Sequence, residues 1–111
     1  MEIPQLDAEQ AAQAVEAGAL LLDVREDDEW TAGHAPGASH IPLNEIPARA
    51  PEIATGRKVV AVCRVGGRSQ KAAEFLAASG VDIVNLAGGM RAWAAAGYPV
   101  VTDDGQGGGV I

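Results

Sequence analysis

Cys63 is the only cysteine of the chain, and it opens the run Cys63-Arg64-Val65-Gly66-Gly67-Arg68, in which a nucleophile, two permanent cations and two glycines stand together. Such a set suits covalent chemistry at sulfur on an anionic substrate. The thiolate is the reactive form of cysteine, and arginines or a helix N-terminus beside it lower its pKa from a reference of about 8.5. Gly66 and Gly67 allow backbone angles that other residues resist, so successive N–H groups can turn inward and cradle an anion. A free cysteine that ends a core strand is more commonly a small buried hydrophobe. Two arginines and two glycines within the next five residues are an odd setting for mere packing, and the run reads as a reactive thiol in an anion-binding loop.

Two contrasting segments must position that loop. Lys58-Val59-Val60-Ala61-Val62 is a short apolar run with β-branched residues, which reads as a buried parallel strand. After the loop, Ser69 to Ser79 carries its bulkier apolar side chains at helical spacing and stops at Gly80, a natural C-cap. The thiol therefore sits at the carboxyl end of a strand, where open α/β sheets bind ligands, and the helix that follows offers unpaired N–H groups and a partial positive charge to an anion.

The rest of the chain repeats this alternation. Residues 2–6 suit a short edge strand, and Asp7 with Gln10 three residues on reads as a capping pair opening an alanine-rich helix that ends near Gly18. Leu20 to Val24 is a second buried strand, ending in Asp23 and then Arg25; a structural ion pair, or a carboxylate holding loop N–H groups, is the expected use of these two charges. Asp27-Asp28-Glu29 opens a short helix through Trp30 to Ala32, with its acidic start favourably placed in the helix dipole. His34 and His40 lack the carboxylate or thiol company of a metal site and are read as loop-anchoring hydrogen bonders. Ser39 to Leu43 returns to strand character. Asn44 then caps a short helical stretch, Glu45 to Ala50, broken by Pro47 and Pro51. Val81 to Leu86 is a further strand, Gly88-Gly89 opens a last helix with Trp93 facing inward, and residues 102–111, rich in glycine, read as a mobile tail to a single domain over 1–101. Strands alternating with helices through short loops give an α/β sandwich with a mainly parallel sheet.

Composition bounds the partners. A chain of 111 residues makes one domain. Its formal charge of −7 argues against nucleic acid or an anionic membrane surface, and makes Arg64, Arg68 and Lys71 a local exception. No segment approaches the roughly 20 apolar residues of a membrane span. One thiol allows neither an intramolecular disulfide nor a multi-thiolate zinc site, so no metal is expected and a reducing, cytoplasmic setting fits.

Four blocks together are similar to the rhodanese family, the single-domain sulfurtransferases: Leu22-Asp23-Val24-Arg25-Glu26; Gly33-His34-Ala35-Pro36-Gly37-Ala38 running on to Ile41-Pro42-Leu43; Cys63-Arg64-Val65-Gly66-Gly67-Arg68-Ser69; and Leu86-Ala87-Gly88-Gly89-Met90 with Ala92-Trp93. The resemblance implies a three-layer sandwich, with a five-stranded parallel sheet flanked by helices and the active site in the loop after the central strand. By position it implies that Cys63 carries sulfane sulfur as a persulfide. Arg64 and Arg68 would attract an anionic donor such as thiosulfate, and the N–H groups of Arg64, Val65, Gly66, Gly67 and Arg68 would stabilise the persulfide. Asp23, Arg25 and Ser69 would support the site, with no cofactor and with a thiol, a partner protein or cyanide as acceptor. A sulfur carrier and a non-catalytic binding module are the alternatives within the resemblance. Cysteine phosphatases and arsenate reductases place five residues between cysteine and arginine, whereas four, Arg64 to Gly67, stand here; the smaller ring suits one sulfur atom better than a tetrahedral phosphate.

Overall fold

The computed structural model describes residues 2–111. In chain order the elements are β1 (Gln5–Leu6), α1 (Ala8–Glu16), β2 (Leu20–Asp23), α2 (Asp27–Ala32), β3 (Ser39–His40), α3 (Ile46–Ile53), β4 (Val59–Val62), α4 (Gly67–Ala78), β5 (Ile83–Leu86) and α5 (Gly89–Ala95), with a 3-10 turn over Leu43–Glu45 before α3. The strands form one five-stranded sheet in the order β1-β5-β4-β2-β3, and every pairing is parallel. This is the α/β architecture that the sequence implies, with β4 at the centre.

The two faces of β4 explain the layers. Side chains alternate across a strand, so Val59, Ala61 and Cys63 join one core with Ile46 and Ile53 of α3 and Ala72, Ala73 and Leu76 of α4. Val60 and Val62 join the opposite core with Ala8 and Ala11 of α1 and Met90 and Trp93 of α5. All four β4 residues are fully buried, which is why the strand reads as a continuous apolar run rather than an alternating one. The small alanines of α1 and α4 let those helices lie close to the sheet. Trp93 faces inward as expected, with its indole N–H donating to the Pro99 carbonyl at 2.8 Å.

Local signals account for most element ends. Asp7 Oδ1 accepts the Gln10 N–H at 2.8 Å while Gln10 Oε1 accepts the Asp7 N–H at 3.0 Å, the reciprocal cap anticipated for α1. Two expectations need correction. Asn44 is not the cap of α3: it lies within the 3-10 turn, and Glu45 takes that place. Nor do Pro47 and Pro51 break the helix, which runs on to Ile53. Pro47 falls in the first turn, where its missing N–H has no intrahelical partner to lose, and the burial of Ile46 and Ile53 at either end holds α3 on the sheet despite the bond lost at Pro51.

The Gly-rich stretch read as a tail, residues 102–111, lies against the body. Val101 exchanges two backbone hydrogen bonds with His34, both 2.8 Å; Thr102 N–H donates to Gln106 O at 2.9 Å, and Gly109 N–H to Ala32 O at 2.9 Å. The chain thus turns back on itself through Gly105 and returns to the end of α2. Close approach requires glycine here: a Cβ on Gly33 would come within 2.6 Å of the Gly109 backbone.

Candidate active site

The loop after β4 turns sharply because Gly66 takes a left-handed conformation, φ +109°, which few other residues adopt. Gly67 has ordinary angles and opens α4. The helix therefore begins two residues earlier than the Ser69 start read from the sequence, so Gly67 and Arg68 join Ser69 in its first turn rather than belonging to the loop.

That early start aims the donors. Cys63, 1% exposed, receives the Gly66 N–H on Sγ at 3.0 Å and the Ser69 hydroxyl at 3.3 Å. Burial pushes the thiol pKa up, but hydrogen bonds from the Ser69 side chain and from the backbone N–H groups of Ser69, Gly66 and Val65 outweigh it and hold the pKa below its ordinary 9.0. The backbone N–H groups expected of the loop and helix start thus take part in the lowering, led by the Ser69 hydroxyl, while the charges of Arg64 and Arg68, which the sequence also suggested, are not among its leading causes.

The two arginines have separate fates. Arg64 is exposed, and its Nε donates to the backbone carbonyl of Ile111 at 3.0 Å. Arg68 is clasped by Glu29 of α2, with Nη1 to Oε1 at 2.7 Å and Nη2 to Oε2 at 2.8 Å. Hydrogen bonds from Arg68, opposed by burial and aided by the Glu26 N–H, lower the Glu29 pKa from 4.5 to about 2. Val65 stands 53% exposed at the loop tip, an apolar point on the rim.

Asp23 and Arg25 lie behind the site, both fully buried. Arg25 Nη2 donates to Asp23 Oδ2 at 2.8 Å and to the Gly33 carbonyl at 2.7 Å, while the Arg25 N–H caps Asp23 Oδ1 at 3.0 Å. Their polar contacts tie β2 to the turn before β3, and none reaches the thiol. His40 Nε2 donates to the Arg25 carbonyl at 2.7 Å and His34 Nδ1 to the Trp30 carbonyl at 2.9 Å. Both imidazoles stack on Trp30, at centroid distances of 3.6 Å for His34 and 4.7 Å for His40. Loop anchoring, anticipated for both histidines, is thus their visible geometry.

Three supports of the loop escaped the sequence reading. Glu29 is one. Asn85 is a second: nearly buried on β5, it donates from Nδ2 to the Gly66 carbonyl at 3.2 Å. The third is the start of α5, where the N–H groups of Met90 and Arg91 donate to the carbonyls of Cys63 at 2.8 Å and Arg64 at 3.1 Å. Asparagine inside an apolar strand was the available signal for the second, since a buried amide needs partners.

Comparison with known proteins gives consistent results. The rhodanese-like domain model matches residues 7–96. A sulfurtransferase of Allochromatium vinosum is 38% identical over 106 residues, covering 93% of this chain and 99% of its own. A Bacillus subtilis protein whose name provisionally assigns a sulfur-carrier role is 37% identical over 94 residues, which cover 82% of this chain and 51% of that protein. Among solved structures, a rhodanese-related protein of Thermoplasma volcanium superimposes with a TM-score of 0.85 at 32% identity, over 90% of this chain and 99% of that one.

Proposed function

This chain belongs to the rhodanese-like domain family, and from that premise together with the loop geometry we propose that it is a sulfurtransferase working through a persulfide on Cys63. The observation that carries the reading is the direct aim of the Gly66 N–H and the Ser69 hydroxyl at Sγ. Two donors pointing at one sulfur favour its anion, whether the thiolate or, after one shift outward, the persulfide.

The thiolate attacks the outer sulfur of a donor, thiosulfate or a persulfide. With thiosulfate the S–S bond to the sulfonate sulfur breaks, its electron pair leaves with sulfite, and the enzyme holds Cys63-S-S⁻. An acceptor thiolate, or cyanide in an assay, then takes the terminal sulfur and restores the Cys63 thiolate. The cycle is covalent and ping-pong, and each step conserves charge without an external oxidant. Exposed Arg64 meets the incoming anion, and the N–H groups of the loop hold the charge left on sulfur. A reducing, cytoplasmic setting would keep the thiol available between turnovers.

Intact-mass measurement tests this. After incubation with thiosulfate and removal of excess, the reduced protein should gain the mass of one sulfur, and Cys63→Ala should gain nothing. A folded, reduced wild type that stays unmodified with thiosulfate and with a persulfide donor would refute the proposal. A second reading, a carrier that passes sulfur to a protein acceptor, is favoured by the Bacillus subtilis relative; in that case loading is rapid and release to cyanide is slow.

A further inference from the structure

Arg68 stands five residues after Cys63, yet its charge is already answered. Both terminal nitrogens of the guanidinium face the two oxygens of Glu29, at 2.7 and 2.8 Å, a bidentate clasp of the strongest type available to this pair of groups. Glu29 is held in place from its own side, because Oε1 also accepts the Glu26 N–H at 3.0 Å, and its side chain is only 13% exposed. The carboxylate stays ionised throughout the neutral range, with a pKa of about 2. Arg64, by contrast, is paired with no acidic side chain among the described residues; its Nε donates to the Ile111 backbone oxygen. Lys71 of α4 and Arg91 of α5 are also exposed, but neither belongs to the Cys63–Arg68 loop, and the variants compared below leave both unchanged.

We infer that Glu29 is a specificity-determining residue: by cancelling the charge of Arg68 it removes one of the loop's two cations from the field an incoming donor meets, and so favours singly charged sulfur donors over dianionic ones. The inference rests on the sulfurtransferase reading. Its physics is the product of charges. When the thiolate forms, it offsets Arg64, and an arriving dianion finds little net attraction while suffering twice the repulsion of a monoanion. Freeing Arg68 would help a dianion about twice as much as a monoanion, in logarithmic terms.

A pair of donors isolates that charge. Thiosulfate is a dianion and releases sulfite; methanethiosulfonate presents a comparable outer sulfur as a monoanion and releases methanesulfinate. The readout is the ratio of kcat/KM for thiosulfate to kcat/KM for methanethiosulfonate at low ionic strength. Glu29→Gln should raise the ratio roughly three- to tenfold, Glu29→Asp should return it toward wild type, and Arg68→Gln, which strands the Glu29 charge, should lower it. A residue that merely braced the loop would change both donors by one factor. Equal ratios in all variants would overturn the inference while both donors still load sulfur, leaving the sulfurtransferase reading intact. Failure of wild type to load sulfur from either donor overturns both. If Glu29→Gln does not fold by circular dichroism, the comparison of Arg68→Gln with wild type decides, and a ratio that fails to fall counts against the inference.

Discussion

At Cys63 the competition is between burial and hydrogen bonding, and Ser69 tips it. The hydroxyl lies 3.3 Å from Sγ with its residue fully buried, and it leads the groups that lower the thiol pKa against the opposing effect of burial. Ser69→Ala should therefore raise the thiol pKa, so that the pH profile of alkylation by iodoacetamide moves to higher pH. It should also cost about 1 kcal/mol of stability for the lost bond. A profile that stays in place would mean that the backbone N–H groups alone set the thiolate. The sign for stability follows from the same depression: thiolate favours the fold above the ordinary thiol pKa of 9.0, and that contribution is lost as pH falls through the folded value. At this scale the sequence singled out Cys63 but not its environment. Cys63 stood out because it was alone among glycines and arginines, whereas Glu29 is 39 residues from Arg68, and only the fold brings α2 against the first turn of α4. Four charged residues run from Glu26 to Glu29, and no local rule distinguishes the one that reaches an arginine from those facing water.

Between elements, the loop is held less by its own glycines than by its neighbour α5. Gly89 has φ +59° and sits so close to the loop that a Cβ there would meet the Arg64 backbone at 2.5 Å and the Cys63 carbonyl as well. Bare backbone at that point lets the Met90 and Arg91 N–H groups reach the carbonyls of Cys63 and Arg64, so unpaired donors of one helix satisfy the turn before another. Gly89→Ala should destabilise the protein by roughly 2–4 kcal/mol, combining left-handed strain with an overpacked backbone contact that no side-chain rotation relieves. Urea denaturation measures the loss, and in the population that remains folded the rate of Cys63 alkylation at neutral pH should fall. The sequence marked Gly88-Gly89 as a helix start without showing what that start touches. It located β2, β4 and β5 because buried parallel strands are continuous apolar runs. It erred where a proline or a Gly-Gly pair carried opposing local signals: α3 persists through Pro51, and α4 begins within the glycines because Gly66 alone absorbs the turn.

At the scale of the whole molecule, the chain's final residues are joined to the region behind the site. The hairpin over 101–109 pairs Val101 with His34, whose ring packs on Trp30; Trp30 lies one residue from Glu29 in α2, the partner of Arg68. Glycine composition suggested a tail with nothing to bury. It concealed the alternative, in which two backbones approach so closely that only glycines fit. Two adjacent positions separate these views. A Cβ on Gly108 would lie 2.7 Å from the Gly33 Cα and 2.9 Å from the Ala32 carbonyl, whereas one on Gly107 would touch nothing within 4 Å. If the hairpin is docked in solution, Gly108→Ala should cost about 1–3 kcal/mol, while Gly107→Ala should stay within about 0.5 kcal/mol of wild type. Amide exchange gives the local measure: Val101 and Gly109, which donate to His34 O and Ala32 O, should exchange faster in Gly108→Ala than in Gly107→Ala. Equal, unprotected exchange of both amides in wild type and both variants would instead show a segment free of the body, and the contact between Arg64 and the Ile111 carbonyl would then place no restraint on the donor's path to Cys63.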